Sequence, residues 1–165
     1  MPTTADDIKI VAEQERLLAF KSFDESTALA IGTHLAEITK AAGKALSIDI
    51  RFWNRQLFFY AMTGTGANNI DWIRRKSNYV RRFERSSYSK TLQLLDAGKT
   101  GFNFDDGVDD MEIAAHGGSF PIRIVGVGVV GAITASGLPG RYDHDFVVQA
   151  LCAHLGVAYG PLKLE

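Results

Sequence analysis

The chain of 165 residues has the length of one ordinary domain, and its 46% hydrophobic and 22% charged residues are typical of a globular protein. A formal net charge of −1 excludes a general electrostatic attraction to nucleic acid or to anionic lipid. The single cysteine, Cys152, excludes an internal disulfide, and no segment reaches membrane-spanning length. We therefore expect one domain over residues 1–165, in the cytoplasm.

The N-terminal third is expected to hold two helices and a strand. Asp6 and Asp7 open a first helix that should end near Phe20. The stretch 22–25 has the form of a capping box and starts a second helix that should stop at Gly43. From residue 46 to 52, apolar and polar residues alternate, which predicts a strand with one solvent-exposed face.

The next strand, residues 56–62, is apolar on both faces, so its outer face should meet a helix, another subunit or a ligand. This is the first indication of self-association. A glycine-containing loop, 63–69, breaks the strand, and a long helix is predicted from about Ile70 toward Leu95.

The C-terminal third predicts strands over 120–125 and 129–136 and a last helix from about Asp143 to Leu155. The aspartates between residues 105 and 110 are expected to lie in a solvated turn. Strands joined by short turns must pair antiparallel. The fold class is therefore α+β, an antiparallel sheet flanked by helices, and not a doubly wound nucleotide-binding fold.

Two glycine-rich stretches are candidates for phosphate sites. Residues 126–131 match G-x-G-x-x-G, but a strand follows them where a dinucleotide site requires a helix, so turn geometry explains them better. The 63–69 loop does run into a helix N-terminus, where Thr65 and Gly66 could contact an anion. It lacks the Walker lysine, and a plain strand-to-helix turn remains the alternative.

The helix that follows this loop is rich in arginine, yet its lysine stands apart. On a helical wheel Lys76 falls within the face formed by Trp72, Tyr79 and Phe83. Either its stem packs on the rings while the ammonium reaches solvent, or the amine points into a pocket and holds an anionic ligand. Arg75 flanks that face and is a further candidate for binding the ligand. The side of the helix that carries the other arginines is expected to face solvent or acidic residues rather than nucleic acid.

Of the four histidines, His116 is the candidate for a functional role, because it precedes Gly117 and Gly118 in a predicted loop, and these two glycines are candidate ligand contacts with it. The histidines and the cysteine show no close metal-ligand spacing, so no zinc site is expected. No hydrolase motif or carboxylate pair indicates a named reaction, and the catalytic residues stay unknown.

Several motifs together resemble those of the UPF0303 family. They are the helix from Trp72 through Lys76 to Tyr88 and the segments 117–122, 130–133 and 136–137. The last three segments also resemble the wider heme-degrading-domain superfamily, which includes GlcG-like and HbpS-like proteins. The resemblance implies a profilin-like antiparallel sheet, assembly into dimers or larger oligomers, and heme as a possible cofactor. It assigns no heme ligand to a position in this chain.

Two functional hypotheses remain open at this point. The first is a protein that binds or handles heme or another tetrapyrrole, with His116 as the axial ligand. The second is a non-enzymatic oligomeric module that binds a small anionic ligand or a partner protein, with Lys76, Thr65 and Gly66 as contacts.

Overall fold

A computed structural model describes residues 4–165. Five α-helices and four strands follow in the order α-α-β-β-α-α-β-β-α, with short 3-10 turns at Phe104–Asp106 and Gly160–Leu162. The bounds are α1 Thr4–Leu17, α2 Glu25–Ala41, β1 Ser47–Phe52, β2 Arg55–Ala61, α3 Ala67–Phe83, α4 Ser87–Asp96, β3 Ser119–Ile124, β4 Gly128–Ser136 and α5 Gly140–Leu155.

The four strands form one sheet in the order β2-β1-β4-β3, and every neighbouring pair is antiparallel. β1 and β2 are joined by a tight turn, as are β3 and β4, while the central β1–β4 pair joins the two hairpins. The predicted α+β class with an antiparallel sheet is confirmed. β2 and β3 are the edge strands.

The main hydrophobic core lies between one face of the sheet and the helices α2 and α5. Side chains alternate between the two faces of a strand, so the residues at every second position enter this core. The strand residues that do so are Ile48, Ile50, Phe120, Ile122, Ile133 and Ala135, all of them buried.

The opposite face of the sheet is polar, and over β1, β3 and β4 it is also buried, because α3 packs across these strands. This corrects the prediction of a solvent-exposed face on the first strand. Asp49 is fully buried there and accepts hydrogen bonds from Arg51 Nε and from Gln56 Nε2, both at 2.6 Å. Ser119 Oγ and Thr134 Oγ1 satisfy each other at 2.8 Å. The candidate site lies at the end of this buried polar face of the sheet.

The long helix predicted from Ile70 toward Leu95 is two helices. Glu84 adopts a left-handed conformation, with φ of 56°, which ends α3, and Ser86 caps α4 by accepting a hydrogen bond from the Ser89 N–H. The chain turns at this point, and α4 packs against α1. The first helix is also shorter than predicted, because the backbone of Phe20 pairs with the β3 edge at Arg123 and Ile124.

The C-terminal end is tied to α1 through buried polar contacts. Gln14 Nε2 donates to the Leu162 carbonyl at 2.8 Å, and its amide oxygen lies 2.7 Å from His144 Nε2. Arg141, at the start of α5, forms an ion pair with the buried Asp7 of α1 at 2.5 Å. No helix within residues 4–165 is both long and apolar enough to cross a membrane.

Candidate functional site

A cleft of about 310 Å³ opens where the N-terminal ends of α3 and α5 approach the end of β4. Each helix N-terminus carries a partial positive charge from the aligned peptide dipoles, so two such ends favour negative charge between them. The cleft is lined by Asn68, Asn69, Trp72 and Lys76 from α3, by His116, and by residues 136–140 and Asp143 around the start of α5.

A buried ion pair forms part of the cleft lining. Lys76 is 3% exposed, and its Nζ lies 2.7 Å from Asp143 Oδ2 and 3.1 Å from the Ala135 carbonyl oxygen. The sequence left two alternatives for Lys76, and the structure excludes the one in which its ammonium reaches solvent. The amine lines the cleft, as in the second alternative, but it is already paired with a carboxylate.

Burial works against the charge on both members of this pair. Desolvation lowers the pKa of Lys76, and the nearby Asp143 carboxylate only partly opposes this shift. Desolvation likewise raises the pKa of Asp143, against the influence of Lys76. The two pKa values therefore move toward each other, and perturbed neighbours of this kind in a cleft indicate a functional site.

Asp143 is held in place by the backbone that precedes α5. Its other carboxylate oxygen, Oδ1, accepts a hydrogen bond from the Leu138 N–H at 2.8 Å. One carboxylate thus caps the turn at the start of α5 and pairs with Lys76 on α3. The position of the amine in the cleft is therefore fixed from both helices.

His116 lies on the exposed rim of the cleft beside Trp72, with the two ring centroids 4.8 Å apart. Partial desolvation of the imidazole, followed by the positive charges of Lys76 and Arg75, lowers the pKa of His116. The imidazole is therefore neutral at physiological pH, the form that accepts a hydrogen bond or binds a metal. No group of three or more His, Cys, Asp or Glu side chains within residues 4–165 is arranged to hold a metal ion.

The two glycines after His116 make room for the ion pair. A Cβ at Gly118, whose φ is +127°, would lie 2.8 Å from Lys76 Nζ and 2.4 Å from the Ala135 carbonyl oxygen. A Cβ at Gly117 would lie 2.3 Å from the Gly140 carbonyl oxygen at the start of α5. Close backbone approach on both sides thus requires glycine at these two positions.

The structure brings four of the seven predicted site residues together: Lys76, His116, Gly117 and Gly118. Thr65 and Gly66 precede the cleft without lining it, and Thr65 Oγ1 instead donates to the Met62 carbonyl at 2.7 Å. Gly66 is the N-cap of α3, with its N–H bonded to Asn69 Oδ1 at 2.9 Å. The cleft contacts next to this loop come from Asn68 and Asn69.

Arg75 points away from the cleft and holds a neighbouring loop. Its guanidinium lies 4.7 Å from the centre of the Trp72 ring and donates to the Asp110 carbonyl at 3.0 Å. Arg74 pairs with Asp71 and Glu112, and Arg82 donates to the Gly107 carbonyl. These arginines fix the acidic loop to α3 within the chain.

The sequence reasoning did not identify Asp143 or Asn69 as site residues. Asn69 Nδ2 donates to Ser136 Oγ at 3.2 Å and so connects α3 to the end of β4. Asp143 follows the start of α5, where an acidic residue is favoured by the helix dipole alone. A buried lysine requires an oppositely charged partner, and this requirement was the one signal in the sequence that pointed to a carboxylate such as Asp143.

Comparison with known proteins places this chain in a defined family. The family described as "Haem degrading protein HbpS-like" matches residues 23–152. UPF0303 proteins of Paraburkholderia xenovorans and Paraburkholderia phymatum are 46% and 48% identical to the chain, each over 97% of it and 96% of the relative. The chain belongs to the UPF0303 group of this HbpS-like family, which confirms the resemblance seen in its motifs.

Solved structures agree on the fold. The crystal structure of Ybr137w has a TM-score of 0.83 at 25% identity and covers 93% of this chain and 94% of its own. The crystal structure of HbpS has a TM-score of 0.63 at 16% identity, covering 81% of this chain and 90% of its own. A PduOC:heme complex has a TM-score of 0.65 at 13% identity, covering 86% and 98%. The last two likenesses establish the fold alone.

Proposed function

We propose that this protein binds a small organic anion in the cleft between the N-terminal ends of α3 and α5. The observation that carries the proposal is the buried Lys76–Asp143 pair in the wall of an open cleft. The pair is neutral as a whole, so the two helix ends supply the net attraction for a negative group. The amides of Asn68 and Asn69 add hydrogen-bond donors at the α3 end.

The size of the cleft restricts the ligand. Its volume of about 310 Å³ lies at the lower end of the range for ligand sites, which run from roughly 300 to 1,000 Å³. A small carboxylic acid fits inside this volume with its carboxylate toward the helix ends. Trp72 is then next to the ligand and can report binding through its fluorescence.

Titration of a Trp53→Phe variant with lactate tests this proposal. The chain has two tryptophans, Trp53 and Trp72, so this variant leaves Trp72 as the sole reporter. We expect a saturable change in Trp72 fluorescence with lactate and none with neutral lactamide, which has the same shape. An equal response to both compounds, or no saturable response to lactate, would contradict anion binding in the cleft.

Heme is the second candidate ligand, favoured by the neutral imidazole of His116 on the rim and by the PduOC:heme complex of similar fold. The cleft does not fit an enclosed macrocycle, because it is small and the charged Lys76–Asp143 pair forms part of its wall. Any heme at this site would be held at the rim of the cleft, where His116 would supply the imidazole nitrogen for its iron.

A hemin titration separates this candidate from the first. Surface binding at His116 predicts a saturable shift of the heme absorption band that is lost in His116→Ala. The matched control is His34→Ala, because His34 is partly exposed on α2 and does not line the cleft. A shift of the same size in all three proteins would remove His116 as a ligand, and no saturable shift would remove heme.

We also propose that the outer part of β2 is buried between copies of the chain. β2 is an edge strand whose backbone lacks a partner on one side, and Phe59 and Tyr60 on it are 40% and 48% exposed. An open groove of about 410 Å³ runs beside these residues between β2 and α2. Exposed apolar surface on an unpaired edge favours self-association.

Light scattering after size-exclusion chromatography tests this interface. The wild-type protein should run as a dimer or larger oligomer, and Phe59→Glu should shift it toward the monomer because a charge would be buried in the contact. Leu95→Glu is the matched control, since Leu95 is 59% exposed on α4 and away from β2. A monomeric wild type, or dissociation by the control alone, would contradict the assignment.

A further inference from the structure

Unlike the other hydrogen-bond donors of the cleft, the Lys76 amine is in contact with a carboxylate that can take up its proton. Its Nζ meets two acceptors, Asp143 Oδ2 at 2.7 Å and the Ala135 carbonyl oxygen at 3.1 Å. An ammonium group has three N–H donors, so one position of Nζ has no hydrogen-bond acceptor within residues 4–165. The side chain lines the cleft, and Gly118 beside it carries no Cβ that would cover the nitrogen.

We propose that Lys76 forms an imine with the carbonyl carbon of a small 2-oxo acid bound in the cleft, with Asp143 as the group that moves the protons. This proposal rests on the proposed anion-binding function and names its ligand class. The carboxylate of a 2-oxo acid is adjacent to its carbonyl, so a carboxylate held toward the helix ends leaves the carbonyl close to the amine.

The reaction balances with these groups alone. A proton passes from the Lys76 ammonium to the Asp143 carboxylate, and the free amine attacks the carbonyl carbon as the C=O π pair moves to oxygen. Proton transfer from nitrogen to that oxygen gives a carbinolamine. Protonated Asp143 then donates to the hydroxyl, which leaves as water while the nitrogen lone pair forms C=N. The net change converts an ammonium and a ketone into a protonated imine and water, and Asp143 returns to its carboxylate.

The electrostatics of the pair suit this sequence of steps. Amine nucleophiles are activated when desolvation lowers their pKa, as burial does for Lys76. Desolvation raises the pKa of Asp143, so this carboxyl can hold the proton that the amine gives up. An exposed lysine such as Lys44 has neither burial nor a carboxylate at hydrogen-bond distance within residues 4–165.

Reductive trapping of the wild-type protein with pyruvate and borohydride tests the proposal. Borohydride converts an imine to a stable amine, and peptide mapping then locates it. We expect one adduct per chain at Lys76, formed faster than at Lys44, because the lowered pKa of Lys76 raises its free-amine fraction at neutral pH and the cleft holds the oxo acid beside it. Lactate, which has no carbonyl, should compete with pyruvate and protect Lys76. Asp143→Asn, checked for native folding, removes the charge that opposes the lowered pKa of Lys76 but also removes the proton donor for loss of water, so it should slow the labelling of Lys76 and leave that of Lys44 unchanged.

The outcomes separate this proposal from the anion-binding function. Saturable lactate binding together with labelling of Lys76 no faster than of Lys44 would overturn the imine and leave anion binding standing. No lactate binding and no selective labelling would overturn both. Selective labelling of Lys76 that lactate suppresses would establish the covalent step in the same cleft.

Discussion

Replacing Lys76 by methionine is expected to lower the free energy of unfolding by about 3–5 kcal/mol, the cost of leaving one member of a buried ion pair without its partner. Asp143 is 1% exposed and would keep its hydrogen bond from the Leu138 N–H but lose the positive charge of its partner. Methionine preserves the length and apolar volume of the lysine stem, so lost packing contributes little. Urea denaturation followed by circular dichroism measures the change.

The double variant Lys76→Met with Asp143→Asn is the control for this prediction. Asparagine keeps an oxygen for the Leu138 N–H but removes the charge, so the double variant should recover most of the lost free energy. A Lys76→Met variant within about 1 kcal/mol of wild type, the range of an exposed pair, would contradict a buried ion pair.

The second large effect expected is a loss of stability in acid that arises from His144. This ring is fully buried, and its Nε2 lies 2.7 Å from Gln14 Oε1. Desolvation, with a smaller effect of the Arg141 charge, lowers the pKa of His144 from 6.5 to about 3. The folded chain therefore leaves His144 neutral where the unfolded chain protonates it.

The sign of this effect follows from the lowered pKa. Stability from neutral His144 is fully present above pH 6.5 and is lost as the pH falls from there toward 3. Between pH 6 and 4 this one group should cost about 2–3 kcal/mol, at about 1.4 kcal/mol per pKa unit. Urea denaturation at a series of pH values measures this effect. Between pH 6 and 4 the free energy of unfolding should fall by that amount more in the wild type than in His144→Gln.

Comparing how the free energy of unfolding changes with pH removes two other effects. One is the pH-independent loss of stability that the substitution itself causes, and the other is the contribution of the carboxylates, which both proteins share. His34→Gln provides the matched control, since the His34 side chain on α2 is partly exposed and its replacement should leave the acid dependence of wild type intact. Parallel pH dependences for wild type and His144→Gln would show that the buried ring does not exclude its proton.

The sheet and four of the helices could be predicted because each has a local signal. The alternation over residues 46–52 matches the pleat of β1, the strand-like stretch 129–136 forms β4, and the cap before Glu25 marks the start of α2. The break between α3 and α4 lacks such a signal. Glu84 is a good helix former that the structure holds in a left-handed conformation, and Arg85 does not mark a stop.

Burial was the main property that local pattern failed to give. The alternation in β1 correctly separates the two faces of the strand, but α3 covers the polar face, so Ser47 and Asp49 are buried. For the same reason the helical wheel placed Lys76 on the buried face but could not supply its partner. Asp143 lies 67 positions further along the chain, and only the packing of α3 against the sheet brings the two together.

Opposite charge changes at Asn68 test anion binding in the cleft most directly. Asn68 is exposed, lines the cleft in the first turn of α3 and is not part of the Lys76–Asp143 pair. With Trp72 as the reporter, Asn68→Asp should weaken lactate binding about fivefold and Asn68→Lys should strengthen it by a similar factor. One charge added close to a bound carboxylate changes the free energy of binding by roughly 1 kcal/mol. Affinities that change in the same direction in both variants, or not at all, would contradict an anion held at the two helix ends.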